Sequence, residues 1–107
     1  MYAVRTGGIT AWPSKKALLF VNDVATRTPK PKDPDCCRVN VTLRLSQDDG
    51  QTWSAGQRIS GPGGYTDVIL HEYQHKEWAA VVYEYGGCTI KLAMVDPHQL
   101  LSQGMVE

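Results

Sequence analysis

The sequence lacks a long hydrophobic run, an excess of charge of one sign, and any metal-like spacing of cysteine or histidine. Lys plus Arg and Asp plus Glu both number 11 in 107 residues, so no basic stripe indicates a nucleic-acid partner. No apolar run approaches the roughly 20 residues that a membrane-spanning helix needs. We therefore expect one compact domain without a transmembrane segment and without affinity for nucleic acid.

Cysteine is also scarce. Cys36, Cys37 and Cys88 are odd in number and show no CxxC spacing, which argues against a structural zinc site and against a complete disulfide framework. A bridge from Cys88 to one of the adjacent pair stays open. The segment from Met1 to Lys16 lacks the apolar core of a signal peptide. This favours either a cytosolic chain or one whose true beginning lies upstream.

What the sequence does contain is apolar alternation with period two, which predicts strands. Five segments show it: Ala17 to Asn22, Arg38 to Ser46, Tyr65 to Glu72, Trp78 to Tyr85 and Thr89 to Val95. Three prolines make Thr26 to Pro34 a loop. Helical periodicity is missing except for one short turn that Asp96 could cap. The sequence thus predicts an all-β chain of two consecutive antiparallel meanders, with the boundary near residues 60–65.

Between two of these segments lies an S-x-D-x-G-x-T-W motif known as the Asp box. Its fixed positions are Ser46, Asp48, Gly50, Thr52 and Trp53. We interpret it as a hairpin turn in which Asp48 accepts hydrogen bonds from turn amides and Gly50 takes a positive φ. Trp53 offers a large apolar face for packing on a sheet. The box is therefore structural and performs no chemistry itself.

Three motifs in order resemble the closing stretch of sialidases, also called neuraminidases. They are the strand from Arg38 to Ser46 with its Asn40 glycosylation sequon, Gly63-Gly64-Tyr65-Thr66-Asp67, and Val81 to Gly86. The resemblance covers roughly Ala17 to Val95 and is strongest to the animal lysosomal type. It implies about two antiparallel blades of a six-bladed β-propeller. It also implies a lysosomal or secretory location and, as substrate, a sialylated glycoprotein, oligosaccharide or ganglioside.

The resemblance further assigns roles to individual residues. Tyr65 corresponds to the nucleophile: a neutral phenol avoids the repulsion that a carboxylate would meet from the carboxylate of sialic acid. Arg38 corresponds to the third of three arginines that bind that carboxylate. Glu84 corresponds to the glutamate that orients the first of these arginines. Arg44 is interpreted as a solvent-facing or blade-edge residue.

The remaining catalytic groups of the family have no counterpart in this sequence. The acid/base aspartate, the glutamate that activates the tyrosine and two arginines come from earlier blades, so Arg5 and Asp23 are not assigned to those roles. We expect an exo-α-sialidase by descent that is inactive in isolation. The family needs no cofactor or metal, and His71, His75 and His98 are interpreted as surface residues.

Two alternatives remain. The chain could be a noncatalytic Asp-box module that binds a glycan or a protein, but such a module has no reason to keep both Arg38 and Tyr65. It could also be an unrelated small β domain with an independent Asp box. If the chain is a sialidase fragment or an Asp-box module, its isolated blades expose edge strands and flanking faces. Self-association through those edges is therefore expected.

Overall fold

The computed structural model describes residues 7–24, 39–85 and 89–106. Within these ranges 65% of the residues lie in strands and 11% in helices, which confirms the predicted all-β class. Two short 3-10 helices, Pro13–Lys15 and Pro97–Ser102, accompany the strands. The strands are β1 (Gly8–Trp12), β2 (Ala17–Asp23), β3 (Val39–Ser46), β4 (Trp53–Ser54), β5 (Gln57–Pro62), β6 (Thr66–Tyr73), β7 (Lys76–Tyr85), β8 (Thr89–Val95) and β9 (Met105–Val106).

The first sheet consists of β1, β2, β3 and β5 in that order, and all neighbours are antiparallel. The helix Pro13–Lys15 and Lys16, at φ 51 in the left-handed region, reverse the chain so that Trp12 pairs with Ala17. The Asp-box turn and β4 separate β3 from β5. The predicted strand at Ala17 to Asn22 is confirmed.

The alternation predicted for β3 is confirmed on one face only. Val41, Leu43 and Leu45 are fully buried together. On the opposite face, however, Thr42 is 7% exposed and Ser46 is fully buried. A period-two pattern predicts a solvent-facing polar row there. The Asp-box turn instead folds onto the end of this row and covers Ser46.

The second sheet consists of β6, β7 and β8 and is antiparallel. Gln74 and His75, both at positive φ, form the two-residue turn between β6 and β7. Such turns match the right-handed twist of the flanking strands. β7 begins at Lys76, two residues before the predicted start at Trp78. The chain passes from the first sheet to the second between Pro62 and Thr66.

The core lies between the two sheets. β6 packs against β1 and β2, and the Thr66 hydroxyl donates to the Val21 carbonyl at 3.4 Å. From the first sheet the buried cluster takes Trp12, Ala17, Leu19, Val21, Val41, Leu43 and Leu45, and from the second sheet Val68, Ala79, Val81, Tyr83 and Val95. Two sheets that each bury one apolar face against the other give a stable two-layer arrangement.

The C-terminal segment returns from the second sheet to the first. Asp96 caps the helix Pro97–Ser102 by accepting from the His98 amide at 3.0 Å, as predicted. The Gln103 side chain then accepts from the Gly56 amide and donates to the Gly56 carbonyl. β9 pairs with β4. This segment therefore ties the end of the second sheet to the Asp-box side of the first.

No helix in the part of the chain that the structure describes is long and apolar enough to cross a membrane.

Candidate functional site

Tyr65 lies immediately before β6, where the chain enters the second sheet. Tyr65 is 59% exposed. Its amide nevertheless donates to Glu84 Oε1 at 2.7 Å, and its carbonyl accepts from the Glu84 amide at 3.0 Å. The backbone of Tyr65 is thus fixed on both sides by one residue at the end of β7, while its side chain faces solvent.

The two glycines before Tyr65 lie where the backbone passes close to side chains of neighbouring strands. A Cβ on Gly64 would meet Oε1 and Cβ of Glu84, and one on Gly63 would meet the Asp23 carboxylate and Val41. A Cβ at either position would force these neighbouring side chains to shift. Gly63-Gly64 therefore brings the start of β6 against the ends of β2 and β7.

A depression of about 250 Å³ opens beside Tyr65 on the second sheet. Its floor is apolar and two carboxylates lie on its rim. The lining residues are Tyr65, Thr66, Asp67, Val82, Tyr83, Glu84 and Ile90. A second depression of about 150 Å³ adjoins it and shares Asp67 and Val82. The Tyr65 end of the second sheet is thus concave and continues along the sheet as a shallow groove.

The predicted site residues are only partly covered by the structure. Tyr65 and Glu84 are brought together. Arg38 lies outside the described residues, so its predicted position beside the Tyr65 phenol is a prediction still. Val39, which follows Arg38, pairs with Pro62, three residues before Tyr65. The β3 strand therefore begins at the same end of the molecule as Tyr65.

Glu84 has a contact that sequence reasoning did not predict. The resemblance assigns its carboxylate to an arginine, and that role remains a prediction. The structure shows Oε1 on the Tyr65 amide. The signal available in the sequence was the second glycine of Gly63-Gly64, whose missing side chain makes room for this carboxylate. Asp67, Val82 and Ile90 were likewise missed as lining residues, although the period-two pattern places Val82 and Glu84 on one face.

The Asp-box turn is fully formed beside the first sheet. Asp48 accepts from the Thr52 amide at 2.8 Å, from the Thr52 hydroxyl at 2.5 Å and from the Ser46 hydroxyl at 2.8 Å. The Thr52 hydroxyl is the main cause that lowers the pKa of Asp48 to about 2. Gly50 takes φ 90 and its amide donates to the Ser46 hydroxyl at 2.8 Å. The predicted roles of Asp48 and Gly50 are confirmed.

Trp53 completes the box. Its ring nitrogen donates to the Gly50 carbonyl at 3.1 Å. Its ring lies 5.7 Å from that of Phe20, tilted by 53°. Because Phe20 belongs to β2, the tryptophan covers the same sheet that carries the box. The box therefore stiffens the first sheet and contributes no group to the depression beside Tyr65.

A polar cluster occupies the side of the molecule where β1 ends and β7 begins. The Trp12 ring nitrogen and the Ser14 hydroxyl both donate to Glu77 Oε1 at 3.0 Å; the tryptophan bond is the main cause that lowers the pKa of Glu77. Asp96 accepts from the His98 ring at 2.8 Å and pairs with Lys76 at 3.1 Å. The His98 amide is the main cause that lowers the pKa of Asp96 to about 2. These bonds join the two sheets to the C-terminal helix.

Within the described ranges, no three His, Cys, Asp or Glu residues are grouped so that they could hold a metal ion. His71 and His75 are exposed near the β6–β7 turn, whereas His98 is bonded to Asp96. Cys36, Cys37 and Cys88 lie outside the described residues.

Comparison with protein-family models, with curated proteins and with solved structures found no match to this chain. The class of protein that the described residues define is a two-sheet antiparallel β domain with an Asp-box turn.

Proposed function

We propose that this chain is the closing part of a sialidase β-propeller in which Tyr65 is the nucleophile. The observation that carries the proposal is the setting of Tyr65: an exposed side chain on a backbone fixed by Glu84, at the rim of a depression. It directly follows a sheet that contains a complete Asp box. Exposure together with a rigid backbone is what a nucleophile needs to meet a substrate in one orientation.

The proposed chemistry is the cleavage of a terminal sialic acid. The Tyr65 oxygen gives up its proton to a base and forms a bond to the anomeric carbon of the sugar. The glycosidic bond breaks, and the leaving oxygen takes a proton from an acid. Water then attacks the same carbon and gives a proton to the acid residue, which had lost its own. The bond between the Tyr65 oxygen and this carbon breaks, sialic acid is released, and the base returns its proton to the Tyr65 oxygen.

Arg38 is proposed to bind the carboxylate of the substrate. A guanidinium forms paired, charge-assisted hydrogen bonds with a carboxylate. The pairing of Val39 with Pro62 supports this role because it puts the beginning of β3 at the Tyr65 end. Glu84 is proposed to act in substrate binding through the first arginine of the family, which this sequence does not contain.

The base, the acid and two arginines of the family belong to earlier blades, so we expect no turnover by this chain alone. A fluorogenic sialoside tests that expectation. Hydrolysis that disappears in Tyr65→Phe would overturn it and would imply that copies of the chain assemble a complete site.

The binding half of the proposal can be tested without turnover. In amide-resolved NMR, N-acetylneuraminic acid is expected to shift the signals of Tyr65, Thr66 and Glu84, and its methyl ester is expected to shift them much less. Arg38→Ala should abolish the difference between acid and ester, whereas the matched control Arg44→Ala should retain it. Equal shifts by acid and ester would contradict a sialic acid carboxylate site.

A noncatalytic Asp-box module is the second candidate, and the fully bonded Asp-box turn supports it equally well. Such a module would bind through its blade surface. It predicts that Arg38→Ala and Arg44→Ala have the same small effect on glycan binding. The paired arginine variants therefore separate the two candidates.

A further inference from the structure

The second sheet uses one face for the core and leaves the other open. The open face, here called the outer face of the second sheet, contains Asp67, Ile69, Ala80, Val82, Glu84, Ile90, Leu92 and Met94, and continues toward the β6–β7 turn with His71, Tyr73, Lys76 and Trp78. Ile69 is 58% exposed, Leu92 65% and Ile90 74%. A contiguous apolar face on a small domain marks an interaction surface.

The first sheet has a partly open face as well, on the side away from the second sheet, where Ile9 and Ala11 are exposed and Leu18 and Phe20 are half-buried. Gly8 approaches Asp67 of β6, so the next residue, Ile9, points the other way. Ile9 is 57% exposed and pairs with Phe20. This outer face of the first sheet contains Ile9, Ala11, Leu18, Phe20, Asn22, Thr42, Arg44 and Ser46, of which Thr42 and Ser46 are buried, with Trp53 lying on Phe20.

The two outer faces differ in net charge. Arg44 lies between the buried Leu43 and Leu45 and pairs with Phe20, which places it on the outer face of the first sheet. Arg44 forms no ion pair with any described residue. On the outer face of the second sheet, Asp67 and Glu84 lie at the Tyr65 end, and Lys76 lies at the opposite end over the Trp78 ring. Complementary potentials across apolar patches select one partner and one orientation.

We propose that copies of this chain associate head to tail, with the outer face of the first sheet in one copy stacked on the outer face of the second sheet in the next. One kind of contact then covers both apolar faces. A twofold pairing of second sheets would leave Ile9 and Arg44 uncovered. Within the chain the two sheets already stack in this manner, with β6 on β1 and β2.

A head-to-tail contact gives a closed ring when its rotation closes, and an open filament when it does not. The size of the ring rests on the proposed function. If six blades complete the propeller, two sheets per copy give a ring of three copies. The head-to-tail contact itself rests only on the two faces.

Size-exclusion chromatography with light scattering tests the contact. The wild-type chain is expected to be larger than a monomer. Leu92→Lys and Ile9→Lys, one on each face, should each yield monomers. Both residues are exposed within one copy, so circular dichroism should show little change in folding. Gln47→Lys adds the same charge at an exposed turn position outside both faces and should leave the assembly intact.

Mixing the two variants separates head-to-tail from twofold association. Leu92→Lys retains an intact first-sheet face and Ile9→Lys retains an intact second-sheet face. Their mixture should therefore form a one-to-one dimer, although each alone is monomeric. A wild-type chain that stays monomeric up to about 0.1 mM would overturn the proposal. A mixture that stays monomeric would overturn the head-to-tail arrangement.

Tyr65→Phe distinguishes this inference from the proposed function. It removes one hydroxyl outside the apolar rows, so the assembly should be unchanged. The contact covers Val82, Glu84 and Ile90, which also line the depression beside Tyr65, so sialic acid binding is measured on the monomeric Ile9→Lys chain, whose second-sheet face is intact. A wild-type assembly together with no carboxylate-dependent binding by Ile9→Lys would contradict the proposed function and leave the association standing. Carboxylate-dependent binding of sialic acid by a wild-type chain that stays monomeric would contradict the association and support the proposed function.

Discussion

The two sheets of this protein differ in how completely their faces are covered by other parts of the chain. In the first sheet, β3 is buried on one face by the second sheet, and the Asp-box turn covers the Ser46 end of its other face. In the second sheet, β8 is an edge strand on which Ile90 and Leu92 are largely exposed. The candidate site lies on the open sheet, and the Asp box stiffens the closed one. This difference indicates that the first sheet is the better-covered scaffold and that the second sheet carries the candidate site.

The sharpest test of this difference uses the same substitution in both sheets. Leu43→Ala in β3 should cost about 2–5 kcal/mol of unfolding free energy, because a fully buried side chain leaves a cavity. Leu92→Ala in β8 should change the unfolding free energy by less than about 0.5 kcal/mol in the monomer. Urea denaturation of the two variants measures both values. Equal losses would mean that the outer face of the second sheet is not open.

The stability of the Asp-box turn should fall when a Cβ is added at Gly50. Gly50 has φ 90, a conformation that costs a residue with a Cβ about 1–3 kcal/mol. Gly50→Ala should therefore lower the urea midpoint. Gly104→Ala is the matched control, because a Cβ there meets nothing within 4 Å. Indistinguishable midpoints for these two variants would contradict the scaffold role of the turn.

Acid should weaken the closed sheet through Asp48. Its pKa is about 2 against an ordinary 3.8, so the folded chain binds this proton less tightly than the unfolded chain does. The resulting stability is complete above about pH 4 and is lost as the pH falls toward 2. The urea midpoint should fall between pH 5 and pH 2.5, and less steeply in Asp48→Asn.

Asp96 contributes in the same direction, because its pKa is also about 2. Asp96→Asn should therefore flatten the same part of the pH profile, and the double variant should flatten it further. A midpoint that is constant from pH 5 to pH 2.5 in the wild-type chain would contradict both assignments.

The smallest expected effect is at the open sheet. Glu84→Ala removes the acceptor of the Tyr65 amide, a bond with a net contribution of about 0.5–1.5 kcal/mol. Hydrogen exchange at the Tyr65 amide should accelerate by roughly 2–10-fold, and Glu84→Gln should restore part of the protection. Asp67→Ala, on the same rim, should leave the exchange rate of Tyr65 unchanged. Unaltered exchange in Glu84→Ala would show that Tyr65 is held by other contacts.

Much of the scaffold could be predicted from the sequence, because its signals are local. Alternation over Tyr65 to Glu72 identifies a strand without any knowledge of its partner, and the Asp box fixes a turn within eight residues. The cap at Asp96 follows from the next two residues alone. A sequence pattern predicts interactions between residues that are close together in the chain.

The site could be predicted only in part, because its contacts join distant segments. The bond between the Tyr65 amide and Glu84 spans 19 residues, and no periodicity marks it. β4 and β9 are two residues each and pair across about fifty residues of chain, too short for an alternation signal. The open faces were also missed in detail, since an apolar residue in an alternating strand indicates burial but not what covers it.

The central claim is that folding brings the Arg38 guanidinium beside the Tyr65 phenol. Nuclear Overhauser contacts between the Arg38 side chain and the Tyr65 ring, measured in ¹³C-labelled protein, test it most directly. Contacts between these two side chains are expected, together with weaker ones to Glu84. If the Arg38 side chain instead shows contacts only to residues at the opposite end of the sheets, such as the β6–β7 turn, the sialidase assignment is contradicted.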